Sequence, residues 1–373
     1  MKKNRKNTFL DKLVLFFNLI AVATLLLSYL ATVISPEKYW HFAFLGLAYP
    51  FILLANILFI FFWALKRRWY VFLSLCAIIV GFNNINRTIG IRKKAVQDHT
   101  RDSSSIKLMT YNIHHFKKLG SEVDSNARNN ILELINEEQP DVIALQEFLT
   151  RKKGKLKSEN NILKILDTKD YYFYGTSGND YESMGIAIFS KLPIINHGNL
   201  TKLDPKGANN GLWIDVKKNG KIFRIYTVHL ASIAFAPVDY YYFNRISNMN
   251  TEDEDIKHGK KILSRLKSAF IRRAKQVDIL KAYTDSCTTP YIIMGDFNDT
   301  PVSYCVTQIS KGLKNTFIEK GQGIGRTYNG DFPNFQIDYI LATQDFNIHT
   351  YKTVKKSYSD HYPVISEVSL NSQ

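Results

Sequence analysis

At 373 residues the chain has room for more than one domain, and its formal net charge of +16 is unevenly placed. Residues 1–101 carry 14 Lys/Arg against 3 Asp/Glu, whereas residues 102–373 carry 35 against 30, which argues against a general nucleic-acid binder in the larger part. Three cysteines, Cys76, Cys287 and Cys305, do not make a disulfide framework; Cys287 and Cys305 could pair in an oxidising compartment but read better as two separate buried thiols.

The N-terminal quarter is apolar in long runs. Leu13 to Ile34 is long enough to cross a hydrocarbon core of ~30 Å, and nothing like a signal-peptide cleavage pattern ends it. Phe42 to Leu65 is a second candidate span, interrupted by Pro50 and Asn56, which membrane helices tolerate. Trp69 to Phe82, with its flank to residue 86, is a shorter third. Lys2, Lys3, Arg5, Lys6 and Lys12 precede the first span and Lys66, Arg67 and Arg68 follow the second, so both basic regions are expected in the cytoplasm. Three crossings then place the remainder outside it, although Arg87, Arg92, Lys93 and Lys94 would flank the third span on that outer side.

The expected organisation is a multi-pass membrane region over residues 1–94, a polar linker over 95–105 and a soluble domain over 106–373. Strands and helices alternate from Ile106 onward, as in an α/β or α+β domain. Strands are expected at Ile106–Asn112, Asp141–Gln146, Gly185–Phe189, Leu212–Val216, Phe223–Val228, Tyr291–Met294 and Ile337–Leu341. Asn126–Glu138 reads as a helix with Ile131, Leu134 and Ile135 on one face, and the longest helix should run from about His258 to Tyr283. Arg151 to Lys157 reads as a basic solvated loop.

Polar and acidic groups recur where these apolar runs end. Asn112 ends the first strand and Glu147 the second; His229 follows Ile225-Tyr-Thr-Val, and Asp296 and Asn298 lie in Gly-Asp-Phe-Asn, where Gly295 permits a tight turn. Asp338 follows Gln336-Ile, and Asp360-His361 lies near the C-terminus. A carboxylate at the end of a buried strand is costly unless compensated, and Mg²⁺, which takes oxygen ligands and commonly one or two carboxylates plus substrate phosphate, would compensate Glu147. Asp296 could orient or deprotonate a water, and Asn298 could donate to a phosphate oxygen. Asp338 could fix the tautomer of His361 and favour its charged form. Asp360 is a further metal ligand, direct or through water. His229 is a second imidazole for phosphate contact or leaving-group protonation, and Asn112 could orient Glu147 or the phosphate.

The order Asn…Glu…His…Asp-x-Asn…Asp…Asp-His resembles the endonuclease/exonuclease/phosphatase superfamily, over roughly Ile106 to Leu370. Met184-Gly-Ile-Ala-Ile-Phe-Ser-Lys-Leu-Pro193 is similar to a supporting strand and turn of the same family. The resemblance implies an α+β fold, a four-layer α/β/β/α sandwich of two mixed sheets. It implies Mg²⁺, with Mn²⁺ as an alternative, held by Glu147, Asp360 and Asn112. Asp296 would position the attacking water, with Asn298, His229, His361 and Asp338 completing the catalytic set and Asn112, Asn298 and His229 contacting substrate. His114 departs from the pattern, standing where some nucleases have an acidic residue. The aromatic stretch from Ala231 to Lys257, with Phe235 and Asp239-Tyr-Tyr-Tyr-Phe243, could be a lid, a substrate platform or a membrane-touching loop.

The expected function is metal-dependent hydrolysis of a phosphoester at a membrane. A nucleic acid is slightly favoured as substrate over a phospholipid or inositol phosphate headgroup, and a non-catalytic membrane-bound sensor is the reading from another class.

Overall fold

The computed structural model describes residues 8–91, 104–117, 125–151, 157–204, 207, 210–233, 239, 253–330 and 335–371. Most of the expected linker, the core of the Arg151–Lys157 loop, most of the aromatic stretch after Ala231, and Arg92, Lys93 and Lys94 lie outside the described residues.

The apolar N-terminal region folds as helices α1 (Phe9–Tyr29), α2 (Pro36–Tyr39), α3 (His41–Leu47), α4 (Tyr49–Leu65), α5 (Val71–Val80) and α6 (Phe82–Thr88). The first begins at a capping box: the Thr8 hydroxyl accepts from Asp11 N, and the Asp11 carboxylate accepts from Thr8 N. Through Thr32 it is, among the described residues, the one helix long and apolar enough to cross a membrane alone. The expected second and third spans are instead bent pairs, α3–α4 at 64° and α5–α6 at 70°, so up to three spans result if each pair counts as one. Pro50 fits the first turn of α4, where its missing N–H costs nothing.

Buried amides tie the three long helices together. Trp63 Nε1 donates to Asn18 Oδ1 at 2.9 Å, Asn18 Nδ2 donates to Ser74 Oγ at 2.7 Å, and Ser74 Oγ donates to Asn56 Oδ1 at 2.9 Å. Such bonds between helices suit an apolar surrounding, where an unpaired amide would be expensive. At the far end Lys66 approaches the buried Asp11 at 3.3 Å.

The rest of the chain continues as β1 (Ile89–Ile91), β2 (Ile106–Asn112), α7 (Ser125–Glu138), β3 (Val142–Arg151), α8 (Ser158–Leu166), β4 (Asp170–Gly178), β5 (Glu182–Ser190) and β6 (Ile194–Asn199). Then come β7 (Gly211–Lys218), β8 (Lys221–His229), the long α9 (Asp253–Asp285), β9 (Tyr291–Asp296), α10 (Tyr304–Ile309), β10 (Lys314–Asn315), α11 (Thr316–Lys320) and β11 (Gln322–Ile324). The last strands are β12 (Asp338–Ala342), β13 (Phe346–Ile348), β14 (Lys352–Thr353) and β15 (Val364–Leu370).

Two mixed sheets result among the described residues. One has the order β13-β15-β2-β3-β5-β4 with β14 on β15; the other runs β10-β12-β9-β8-β7-β6. Strand alternation sorts each strand's side chains between two layers. Ile106 and Leu108 of β2, Val142 and Ala144 of β3, Ile225 of β8, Ile292 and Met294 of β9 and Ile340 of β12 fill the space between the sheets. Met109, Tyr111, Ile143 and Leu145 face α7 and α8, while Tyr226, Val228, Ile293 and Tyr339 face α9 and α10. The architecture is therefore helix, sheet, sheet, helix. Cys287 and Cys305 are both free, Cys305 buried and Cys287 only partly so.

The apolar helices dock on the sandwich rather than hang from it. The β1 strand, expected within the membrane region, pairs antiparallel with β11. Gln308 Nε2 donates to Thr32 O at 3.2 Å, and Arg87 Nη1 donates to Thr307 Oγ1 at 2.5 Å. Gly46 of α3 comes so near the chain after β9 that a Cβ there would overlap the Val302 carbonyl. Val302 packs among Leu25, Tyr49, Leu53 and Ala77, and Phe44 meets Phe270 edge-on at 5.3 Å.

Candidate active site

The site arises from the inward-facing residues where several neighbouring strands end or, for β12, begin. In β8, Phe223 and Ile225 point between the sheets, so Thr227 and His229 follow on the same side; in β9, Ile292 and Met294 lead to Asp296; in β12, Ile340 and Ala342 share their face with Asp338. The pairing aligns these ends, His229 opposite Asp296 across a parallel pair and Asp296 opposite Asp338 across an antiparallel one. In the other sheet Asn112 follows Leu108 and Thr110 on the inner face of β2 and lies opposite Gln146. Just beneath, Gln146 Nε2 bonds Thr110 at 3.1 Å and Thr227 at 3.0 Å, linking the two sheets at the floor of the site.

Glu147 obeys a different rule. Its neighbours Ile143 and Leu145 face the helices, and simple alternation would send Glu147 there too. A bulge between Leu145 and Phe148 in the pairing of β3 with β5 intervenes, with Glu147 at φ +51°. The extra residue turns Glu147 toward the site and returns Phe148 to the helix-facing core. The strand expected to stop at Gln146 thus runs on to Arg151. Gly295 likewise lies inside β9 rather than in the turn after it; at φ +145° it packs directly on Val228 O, and the turn itself falls at Asn298, φ +52°.

The carboxylates are held by amides. Asn112 Nδ2 donates to Asp296 Oδ2 at 3.0 Å and lies 3.3 Å from Glu147 Oε1, while its Oδ1 accepts the His114 N–H at 3.1 Å. That last bond fixes the amide's orientation, so Asn112 secures the two carboxylates. Asn298 N donates to Asp296 Oδ1 at 2.8 Å; its side-chain N–H groups go to Leu230 O at 3.0 Å and Asp296 Oδ2 at 3.2 Å. His361 Nδ1 lies 2.9 Å from Asp338 Oδ2, which leaves Nε2 facing Asp296 Oδ2 at 3.7 Å. His229 Nε2 is 3.7 Å from both Glu147 Oε1 and Asp296 Oδ2 and has no hydrogen-bond partner. Ser359 Oγ anchors the Asp360 segment to Asn112 O at 2.9 Å.

Three residues outside the expected set join the site. After Asn112 the chain turns through His114, His115 and Phe116, all at positive φ. His114 Nδ1 stands 3.4 Å from both Glu147 Oε2 and Asp360 Oδ2, and His115 Nδ1 is 3.3 Å from Glu147 Oε2. Nothing in strand periodicity foretells this turn; paired histidines directly after a strand end were its only signal. Arg273 was also missed. Buried on α9, it donates to Asp299 Oδ2 at 3.0 Å and Ala231 O at 2.8 Å, bracing the chain on either side of the site. A basic residue on the same helix face as Phe270, Val277 and Leu280 is a sequence signal for such a role.

The electrostatics follow from burial and these partners. Burial drives the Asp296 carboxyl above the usual range, with the Asp338 charge adding to it and the two imidazoles opposing. Burial alone would lower the His361 imidazole, but the adjacent Asp338 and Asp296 carboxylates push it well above its ordinary value. Glu147 is the converse: burial would raise it, yet its bond to His114 and the charges of His229 and His115 hold it below the carboxylate range. His114 is raised because Glu147 and Asp360 outweigh its burial, whereas burial wins at His115 and lowers it.

These groups line one cavity of about 210 Å³ with Glu147, His229, Asp296, Asn298, Asp360 and His361 in its wall. All eight expected site residues converge on this region. The donor set fits a divalent cation: three carboxylates, an imidazole nitrogen without a partner, and a His114–His115–Glu147 group whose ligand atoms lie within 4.8 Å of one another. Asp296, Asp338 and His361 form a second such group.

Comparison with known proteins agrees with this architecture. The profile of the Endonuclease/Exonuclease/phosphatase family matches residues 109–361, and that of a domain of unknown function, DUF8431, matches residues 11–88. No curated protein matches the chain. Among solved structures, an endonuclease/exonuclease/phosphatase from Beutenbergia cavernae DSM 12333 is similar at 18% identity and TM-score 0.50, over 72% of each chain. A family protein from Bacteroides thetaiotaomicron matches at 16% identity and TM-score 0.50, over 72% of this chain and 99% of that one. The human Nocturnin catalytic domain, solved with a bound sulfate anion, matches at 18% identity and TM-score 0.50, over 72% and 95%. With its sheets, its strand-end cluster and more than half its length matched by the profile, the chain belongs to the Endonuclease/Exonuclease/phosphatase family.

Proposed function

We propose that the protein is a membrane-anchored, divalent-metal-dependent phosphoesterase working at the cavity between the sheet ends. The observation that carries the reading is the convergence of Glu147, Asp296 and Asp360 with His229, His361 and His114 within hydrogen-bonding or near-contact distance. Glu147, Asp360 and the two turn histidines would hold the ion, with Asn112 fixing the Glu147 carboxylate. Mg²⁺ fits the carboxylates, and the histidine nitrogens make Mn²⁺ an equally good occupant. When bound, the ion supplies Lewis-acid polarisation of the phosphoryl group and charge neutralisation.

The chain's own groups do the rest. Asp296, gripped by Asn298 N and Asn112, orients the attacking water and accepts its proton. His361, held cationic and in one orientation by Asp338, presents Nε2 to the phosphoryl oxygens; His229 offers its free Nε2 from the other side. Asn298, whose amide lies 3.2 Å from Asp296 Oδ2, would hold the phosphate beside it.

Membrane anchoring rests on the apolar helices, whose outward faces expose Leu58, Phe61, Leu65 and Ile79. Lys66 and Arg68 lie beside Asp11 at the end away from the sandwich, which favours a cytoplasmic position for that end and an extracytoplasmic catalytic domain. Arg87, a charge that counts against this orientation, is engaged by Thr307 of the sandwich.

Asp296→Ala is expected to lower turnover of a chromogenic phosphodiester about 10²- to 10⁴-fold, and Glu147→Ala to abolish its metal-dependent part, both with unchanged circular dichroism. Unchanged activity in either variant would refute the assignment. Asp338→Asn removes the charge that raises His361, so the alkaline limb of the kcat/KM profile should move to lower pH; a limb that stays put would leave Asp338 a structural residue only. For orientation, a membrane-impermeant amine reagent should label the exposed Lys275 in intact spheroplasts. Labelling only after permeabilisation would reverse the topology.

A further inference from the structure

A second cavity, of about 360 Å³, adjoins the catalytic one and shares Thr300 and Phe335 with it as walls. Its chemistry is different. One side is formed by Pro50, Leu53, Leu54 and Ile57 of α4, the other by Val302 and Ile324 of the sandwich. From Tyr49 to Ile57 the helical wall extends about 12 Å away from the catalytic groups. The bend between α3 and α4 creates this space: Gly46 seats α3 against Val302, and α4 departs at 64°. Leu54 is 54% exposed and Leu58 60%, so the apolar wall continues outward along α4.

Resting on the phosphoesterase reading above, we propose that this channel receives the hydrocarbon chain of a membrane amphiphile whose phosphate ester reaches the catalytic cavity. Three observations select that occupant. The two cavities meet at Thr300 and Phe335, which line both, so the pair suits a single molecule with a polar head and an apolar tail. Its outer wall belongs to a helix pair apolar enough to lie in a bilayer, which gives such a molecule a route in without crossing water. The catalytic cavity is poor in free cations: among its described lining residues Arg273 alone is Lys or Arg, and it is committed to Asp299 and Ala231. A long nucleic acid needs several phosphates neutralised outside the reacting one; a single lipid phosphate does not. An apolar cavity of this size also falls in the range of about 300–1,000 Å³ usual for small-molecule sites. On this proposal the substrate is a lipid phosphoester, the alternative to the nucleic acid slightly favoured from sequence.

The test uses the full-length protein in detergent micelles with Mg²⁺ or Mn²⁺ and p-nitrophenyl alkyl phosphates from methyl to decyl. Wild-type kcat/KM should rise with chain length, by up to about fourfold for each methylene that enters the channel. Leu54→Trp, which fills the channel from an exposed position, should bring the decyl-to-methyl ratio down toward one. Partition of the longer esters into micelles affects both proteins alike, so the difference between them is what reads the channel. Hydrolysis of the methyl ester without chain-length dependence would overturn the lipid proposal and leave the phosphoesterase standing. A chain-length dependence identical in Leu54→Trp would overturn the channel as the chain's seat. Failure to hydrolyse any ester would overturn both readings together.

Discussion

The convergence of the site hangs on one residue's backbone. Glu147 at φ +51° breaks the alternation of β3, and without that break its carboxylate would lie among the apolar side chains facing α7 and α8. A non-glycine residue in this region costs on the order of 1–3 kcal/mol and persists only where its surroundings enforce it. Here Gln146 pins the strand before the bulge through Thr110 and Thr227, and Phe148 pins it afterwards in the helix-facing core. His114, His115, Phe116 and Asn298 are at positive φ as well. Backbone strain thus collects around the cavity, and the amide bonds of Asn112 and Asn298 hold the strained segments against one another.

What could be read from sequence divides along this same line. Asn112, His229, Asp296 and Asp338 sit at inward positions of regular strands, where period-two patterning and the apolar run before Asn112, His229 and Asp296 and after Asp338 point to each residue's face. The Ile106–Asn112 strand and the helix over Ile131, Leu134 and Ile135 were legible for the same reason. Glu147 was identified by its type and place, but the sequence reading ended the strand at Gln146, because nothing in Val-Ile-Ala-Leu-Gln-Glu-Phe-Leu marks the extra residue that aims Glu147 and lets the strand continue. The edge strand β4 escaped notice because its Tyr-Tyr-Phe-Tyr residues are only partly buried and alternate weakly. The bends in the second and third apolar runs were equally hidden. Hydropathy measures length and composition, whereas the bends fall at Pro50 in the first turn of α4 and at Gly81, which packs on Tyr29 of α1.

Contact with the sandwich changes how the N-terminal region should be regarded. A tether would need only length, yet these helices are followed by a strand that pairs with the sandwich, and they contribute a glycine contact and one wall of a cavity that shares Thr300 and Phe335 with the catalytic one. The polar chain Trp63–Asn18–Ser74–Asn56 keeps α1, α4 and α5 in fixed relation, so the position of α4 beside Thr300 and Phe335 is tied to the bundle as a whole. The catalytic cavity and the apolar helices form a continuous surface.

The most direct measurement is anomalous diffraction from crystals of the full-length protein grown with Mn²⁺. The account predicts an anomalous peak in contact with the Glu147 carboxylate, beside Asp360 and the His114–His115 turn, with Glu147 still at positive φ. A Glu147 side chain turned toward α7 and α8, or an ion bound remote from Asp296 and Asp360, would contradict it.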